Sequence, residues 1–391
     1  MSTDFKIAHD DLWNWCRAQD FAGYDPYDGL NSRLFQATPL KHSRAARLAW
    51  TQLFKRSPIN FRRIAGMRGE RNAKGIALFA LAALADYRRT GTKEAEIEAR
   101  KLIDDLMSMS LKGFSGLSWG YNFDWQARAF FAPRDTPMIV PTAFAARALV
   151  EASRDLDNEE CLRFARTVCD FILNDLNRSE ETSNEICFSY SPFDNTRVFN
   201  ASLLAAEVLA AVGAGTNEES LCDMAMRAAR YVLRRQLADG SWAYGGESYQ
   251  KWSDNFHTAF TLTSLSRIVE ACESARAELE PALVRGYEFW MERFFLANGW
   301  PKYFSDRVYP ADIHSAAAAI VTLVELRGRI PNSVIFAEQI ANWAIENLHD
   351  PRGFFYYQRW RFHTNRIPYM RWSESWMAYA LARLLEVKSK K

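Results

Sequence analysis

The sequence predicts an all-α fold, an (α/α)6 toroid of six helical hairpins, on three observations. Six Ala- and Leu-rich segments with helical periodicity recur along the 391 residues, and more amphipathic, charged segments alternate with them. An aromatic loop element, most often aromatic-x-Tyr, stands before the later small-residue segments in register with the repeat.

The small-residue segments predict inner helices over 75–87, 142–152, 201–212, 258–271, 315–326 and 375–387. Small side chains let helices pack closely around the inside of a ring. The polar residues that open them are Lys74, Thr142, Asn200, His257, His314 and Glu374, spaced 68, 58, 57, 57 and 60 apart. A period near 60 is two helices and two loops. The alternating segments predict outer helices over 95–108, 158–175, 217–235, 276–294 and 333–347, each with one solvated face. Residues 1–40 are expected to form an N-terminal helix and a covering loop, 41–388 the ring and 389–391 a tail, all in one structural domain.

The loop marks are Ser118-Trp119-Gly120-Tyr121, Phe188-Ser189-Tyr190, Gly240-Ser241-Trp242-Ala243-Tyr244, Gly299-Trp300 with Tyr303, and Gly353-Phe354-Phe355-Tyr356. Inner helices that all run the same way around a ring bring these loops to one rim, where a rigid scaffold carries function.

Composition is that of a folded protein, 48% hydrophobic and 25% charged, with 13 Trp, 15 Tyr and 26 Phe to line a cavity. Lys+Arg 49 against Asp+Glu 47 leaves a net charge of +2, which argues against nucleic acid as a partner. The opening MSTDFKIAHDDLWNW is acidic where a secretory leader needs a basic start, and no run of about 18 apolar residues is evident. Cys16, Cys161, Cys169, Cys187, Cys222 and Cys272 form no CxxC pair and read as buried thiols in a reducing compartment, so a cytoplasmic location is expected. The six histidines make no HxxxH or HExxH set and no glycine-rich phosphate loop occurs, so no metal or cofactor is expected.

The rim collects the ionisable groups. Asp124, Asp194, Asp254, Asp312 and Glu374 stand there with His257, His314 and a series of tyrosines. Carboxylates facing one another across a pocket act as general acid and base, because proximity and burial push their pKa values apart. Asp25 and Asp28, in the turn-rich segment Gly23-Tyr24-Asp25-Pro26-Tyr27-Asp28-Gly29, could close the pocket from above. The catalytic candidates are therefore Asp25, Asp28, Tyr190, Asp254, His257, Asp312 and Glu374. The alternative roles are N-caps for the rim acids and Asx-turns for the covering loop.

Basic residues gather in the same loops, notably Arg62, Arg63, Arg68, Arg71 and Lys74 with Glu70 beside them, and Arg366 and Arg371 near the end. Guanidinium groups bind carboxylate or phosphate in a bidentate way, so the expected partner is an anionic oligo- or polysaccharide, unless these arginines pair with the rim acids. The substrate-binding candidates are Arg68, Arg71, Lys74, Trp119, Tyr121, Asp124, Asn200, Trp242, Tyr244, His314, Tyr356, Arg366, Tyr369 and Arg371.

Three resemblances add to this reading. The stretch from Arg227 to Trp242, with Gln236-Leu237-Ala238-Asp239-Gly240-Ser241-Trp242, resembles the QW motif of terpenoid cyclase and prenyltransferase toroids, which implies a structural brace; the acidic motif and zinc ligands of those enzymes have no counterpart. Tyr190-Ser191-Pro192 with Val198-Phe199-Asn200, and Trp252-Ser253-Asp254-Asn255-Phe256-His257-Thr258, are similar to stretches of the C-terminal toroid of D-glucuronyl C5-epimerases. That family's Glu-Tyr pair falls on Ser189-Tyr190, and its tyrosine before His-Thr on Phe256. Over its whole length, including GYDPYDGLNS and TNRIPYMRWSESWMAYAL, the chain resembles toroid proteins of bacterial surface-polysaccharide gene clusters. The expected function is acid/base processing of an anionic, uronate-containing glycan in a central pocket, in the manner of a glycoside hydrolase. Uronate C5-epimerisation or elimination, a cyclase or prenyltransferase activity, and glycan binding without catalysis are the alternatives.

Overall fold

The computed structural model describes residues 5–390. The first four residues of the opening segment and Lys391 of the expected tail lie outside the described residues.

Among the described residues fourteen α-helices run in chain order: α1 Phe5–Ala18, α2 Arg33–Gln36, α3 Arg44–Arg56, α4 Ala73–Thr90, α5 Lys93–Ser108, α6 Ile139–Asp155, α7 Glu159–Asn174, α8 Phe199–Thr216, α9 Glu219–Leu233, α10 Asn255–Ala271, α11 Arg276–Phe294, α12 Ile313–Glu325, α13 Ser333–Leu348 and α14 Ser375–Ser389. The inner ring closes in the order α4, α6, α8, α10, α12, α14 and back to α4. The outer helices α5, α7, α9, α11 and α13 pack behind it, and α1 packs on α14 and α13 as the outer partner of the sixth hairpin. The expected (α/α)6 toroid is thus the observed one. Helix α1, within residues 1–40, sits in the outer layer of the ring.

The inner helices are buried almost all round, which is why their sequences carry so little amphipathic contrast. Helix α8 is apolar and long enough to cross a membrane by length and composition, with a mean hydropathy of 1.3 over 18 residues, where no such run is expected from the sequence. Its position answers this: 78% of that window is buried inside the ring.

Ion pairs close the end of the ring away from the inner-helix N-termini. Arg147 grips Glu207 through two bonds of 2.8 and 2.7 Å, and Arg267 reaches Glu207 and Glu325. Arg383 joins Glu325 to Glu386, and Arg88 joins Glu386 to Glu151. All six inner helices contribute to this belt, and their N-termini form the rim at the other end.

Short hairpins decorate that rim: β1 Trp125–Gln126 with β2 Phe131–Ala132, β3 Arg178–Glu181 with β4 Ile186–Phe188, and an antiparallel set of β5 Ala311–Asp312, β6 Gln358–Arg359 and β7 Thr364–Asn365. Residues 19–72 cross over the same face. Gly23 pairs with Glu70 and Tyr24 with Tyr369, which lace the segment to the rim. A side chain at Gly23 would meet Met370 Cβ at 2.7 Å, so only glycine permits this approach.

Candidate functional site

The site is built where the inner helices begin. Asp254 precedes α10, and its Oδ1 accepts the backbone N–H of His257 at 2.9 Å, satisfying one of the donors a helix start leaves open. The same carboxylate turns toward the ring, with Oδ2 2.9 Å from Nδ1 of His257. Asp254 is buried and His257 is 22% exposed. Nδ1 is therefore occupied, and Nε2 is the nitrogen left for a ligand. The ring stands edge-on to Tyr244 at 4.7 Å and against Phe256 at 4.1 Å.

His314 repeats the arrangement on α12 with one difference. Asp312 accepts its backbone N–H at 2.8 Å, but the ring Nδ1 lies 3.1 Å from the carbonyl oxygen of Trp372. A carbonyl only accepts, so Nδ1 carries the proton and Nε2 keeps a lone pair. That Nε2 is buried without a partner. Burial, and then the nearby charges of Lys74 and Arg371, hold the imidazole well below its usual pKa and keep it neutral. Phe256 contacts both histidines, its ring centroid 4.1 Å from His257 and 4.8 Å from His314.

Lys74 enters from α4. Its Nζ lies over the rings of Phe144, Phe260 and Trp376 at 4.6, 5.3 and 5.3 Å, and Phe260 and Trp376 also pack on His314. Burial, reinforced by the charge of Arg371, pushes its pKa well below that of an ordinary lysine. Arg371 itself lies over Tyr121 at 5.0 Å, and Tyr121 shares a hydrogen bond with Tyr190.

The carboxylates assigned to acid/base work are mostly engaged elsewhere. Asp25 is gripped by Arg371, with one bond of 2.8 Å, and Asp28 by Arg62 at 2.7 Å, so both hold the covering loop down. Burial raises Asp28 to about 6 against the pull of Arg62. Glu374 is fully buried, accepts from the Phe355 N–H at 2.9 Å and is held well above the carboxylate range by burial; it lies behind the rim. Asp312 is also buried, with Gln358 at 2.6 Å and the Trp372 indole at 3.1 Å, and burial raises it to about 6.

The basic cluster expected to meet an anion is likewise corrected. Arg62 reaches Asp28 and the Tyr369 hydroxyl, the latter at 3.0 Å, which also takes the fully buried Tyr369 out of ligand reach. Arg71 pairs with Asp20 and, at 3.0 Å, with Asp105. Arg68 is exposed beside a small space under the covering loop, with Glu70 and Asn122. Arg366 is exposed over the ring of Tyr356, whose hydroxyl donates to Asp350 at 2.8 Å.

Other candidates divide between brace and wall. Trp119 is buried with its indole on the Leu106 carbonyl at 2.8 Å, and Asp124 ties its loop by accepting the Arg134 N–H at 2.8 Å. Trp242 donates to the Val232 carbonyl at 3.0 Å, and a Cβ at Gly286 would meet its ring at 2.3 Å. Gln236 bonds to the Ala282 carbonyl at 2.9 Å, so the QW-like element clamps α9 to α11. Tyr244 stacks on Trp252 at 4.5 Å, and Asn200 heads α8 with its buried Oδ1 unpartnered.

Trp372, Trp252 and Tyr27 were missed. Helix α14 opens after Glu374 as expected, but residues Met370–Glu374 form a π-helical turn ahead of it. The turn brings Trp372 to 4.3 Å from His314 and Tyr27 to 5.4 Å from Trp372. Irregular turns of this kind often mark functional sites, but a five-residue π turn has no periodicity to read in sequence. Among the described residues no His, Cys, Asp and Glu group is arranged to hold a metal.

No family model and no curated protein matches the chain by sequence, so the resemblances to glucuronyl C5-epimerases and to gene-cluster toroids gain no support there. Solved structures do match. Cellobiose 2-epimerase from Bacillus thermoamylovorans B4167 aligns with a TM-score of 0.63 and 14% identity over 81% of this chain and 88% of that one. D-mannose isomerase gives 0.61 and 14% over 81% and 87%, and an unsaturated glucuronyl hydrolase specific for heparin gives 0.59 and 13% over 81% and 86%. These neighbours are sugar-processing α/α toroids, and the likeness is one of fold.

Proposed function

We propose that the chain is a carbohydrate-processing enzyme that moves a proton at a sugar carbon beside a carbonyl or carboxylate group, the step shared by epimerases, isomerases and eliminating lyases. The observation that carries this reading is the pair of histidines on neighbouring inner helices, both contacting Phe256, one oriented by Asp254 and the other kept neutral with a free Nε2. One imidazole removes the proton, the C–H electrons move into the adjacent carbonyl, and a protonated group returns a proton to the same or a neighbouring carbon. Negative charge then builds on an oxygen, where Lys74 and Arg371 are the available donors. A uronate remains within this class, because its C5 hydrogen sits beside a carboxylate. The fold likeness to an epimerase, an isomerase and a glucuronyl hydrolase supports a carbohydrate substrate. With six free cysteines, a cytoplasmic location belongs to the same proposal.

Hydrolysis is the second reading, favoured by one observation. An unsaturated glucuronyl hydrolase shares the fold, with a TM-score of 0.59 over 81% of this chain.

Incubation with reducing disaccharides and with uronate oligosaccharides in D2O separates the two by NMR. Deuterium entering at C2 or C5, and lost in His257→Gln, supports proton transfer. New reducing ends without exchange at carbon support hydrolysis, and no change in any sugar leaves a binding protein.

A further inference from the structure

A concavity lies on the rim between the third and fourth hairpins. It is a groove of about 500 Å³, within the range of ordinary small-molecule pockets, and Glu180, Arg197, Arg235, Trp242, Lys251 and Trp252 line it. None of these was a catalytic candidate. Trp252 joins the groove to the centre: its ring stacks on Tyr244 at 4.5 Å and 9°, and lies 5.9 Å from His257. Trp252 is partly exposed and lines the groove, with one face of its ring covered by Tyr244.

The charges of the groove argue for a particular ligand chemistry. Arg197 bridges Glu180 and Glu247 at 3.2 and 2.9 Å, and Arg235 bridges Glu180 and Glu185 at 3.0 and 2.8 Å. Arg235 also lies flat on Tyr231, 3.4 Å from the ring centroid, and the Tyr231 hydroxyl donates to Glu180 at 2.9 Å. Lys251 is held by the Gly245 and Gly246 carbonyls. Each arginine is therefore matched by carboxylates, and an incoming anion would face Glu180 as well as its partners. Such a wall offers N–H donors beside carboxylate lone pairs, which suits hydroxyl groups because each one donates and accepts. A stacked indole suits the apolar face of a pyranose.

We infer that this groove is a subsite for an uncharged, hydroxyl-rich sugar residue of a saccharide chain, with Trp252 as its platform, and that the residue next to it along the chain enters the centre at His257. The inference rests on the carbohydrate reading above and adds that the substrate is an oligo- or polysaccharide, with a neutral residue adjoining the reacting one.

The test reads binding rather than turnover. Linear hexasaccharides of glucose, mannose and N-acetylglucosamine, and an oligogalacturonate of equal length, are reduced at the end to alditols so that no carbonyl remains to react. Titration calorimetry with the full chain is expected to show binding of at least one neutral hexasaccharide in preference to the oligogalacturonate. Trp252→Ala should weaken it on the order of tenfold, and Trp252→Phe less. Because Trp252 also supports Tyr244, Ala243→Trp serves as a second variant that fills the groove from a partly exposed position, and it should weaken binding at least as much while the helical circular dichroism stays unchanged. Binding of none of the four probes, binding as tight as wild type by both variants, or preference for the oligogalacturonate would overturn the inference. Deuterium exchange at carbon with a reducing sugar tests the catalytic reading independently of all three.

Discussion

Asp254 holds His257 twice, accepting its backbone N–H at 2.9 Å through Oδ1 and meeting its ring Nδ1 at 2.9 Å through Oδ2. The cap and the orientation of the imidazole thus depend on one carboxylate. Asn caps as well as Asp but cannot stabilise an imidazolium. In Asp254→Asn the melting temperature is expected to stay near wild type while turnover falls on the order of 100-fold. Asp254→Ala should add a stability loss of about 1 kcal/mol by removing the cap. Full activity in Asp254→Asn would show that the aspartate only caps.

Lys74 leads to an opposite pairing of effects. A buried amine held over three rings is costly to charge, and Lys74→Met keeps its length while removing that cost. Because the folded pKa lies below the unfolded one, wild-type stability rises with pH between the two and levels off once the unfolded lysine has lost its proton above 10.5. Lys74→Met is therefore expected to be more stable than wild type at pH 7, with the advantage shrinking by pH 11 in urea titrations. Turnover should fall roughly 100-fold if the amine stabilises the developing oxyanion. A variant both less stable and fully active would remove Lys74 from the site.

Asp25 and Arg371 are joined across 346 residues of sequence, and both are buried. Removing one partner leaves an unmatched buried charge, so Asp25→Ala should cost about 3–5 kcal/mol, and the double variant with Arg371→Met less than the sum. Limited proteolysis should then cut within residues 20–31. A variant as stable as wild type, with turnover lost, would return Asp25 to the chemistry.

The belt at the closed end sets an acid limit. Burial alone would raise Glu325 and Glu386, but the guanidiniums of Arg267 and Arg383 for the first, and of Arg88 and Arg383 for the second, bring both to about 2. Their folded pKa lies below the unfolded value, so their contribution is present above about 4.5 and is lost as pH falls toward 2. Unfolding followed by circular dichroism should steepen in that window, and Glu386→Gln should flatten it. An unchanged slope would mean the belt is not what limits acid stability.

The sequence by itself determined the architecture: the inner-helix prediction of 142–152 became Ile139–Asp155, that of 258–271 became Asn255–Ala271, and the outer helices followed with similar accuracy. Helical periodicity and the 57- to 68-residue spacing are local properties, so a window of one hairpin reveals them. It also brought His257, His314, Lys74 and Asp254 to one rim. Only the tertiary structure decided which charges are free. Arg62 meets Tyr369 across 307 residues and Arg371 meets Asp25 across 346, and no local pattern encodes such partners. The same is true of the π turn that carries Trp372 to His314. A polar residue at a helix start becomes a cap, an ion-pair partner or a proton donor according to what the closing ring lays against it, because burial and neighbouring charge set its state, and both arise only when the first and last segments of the chain meet.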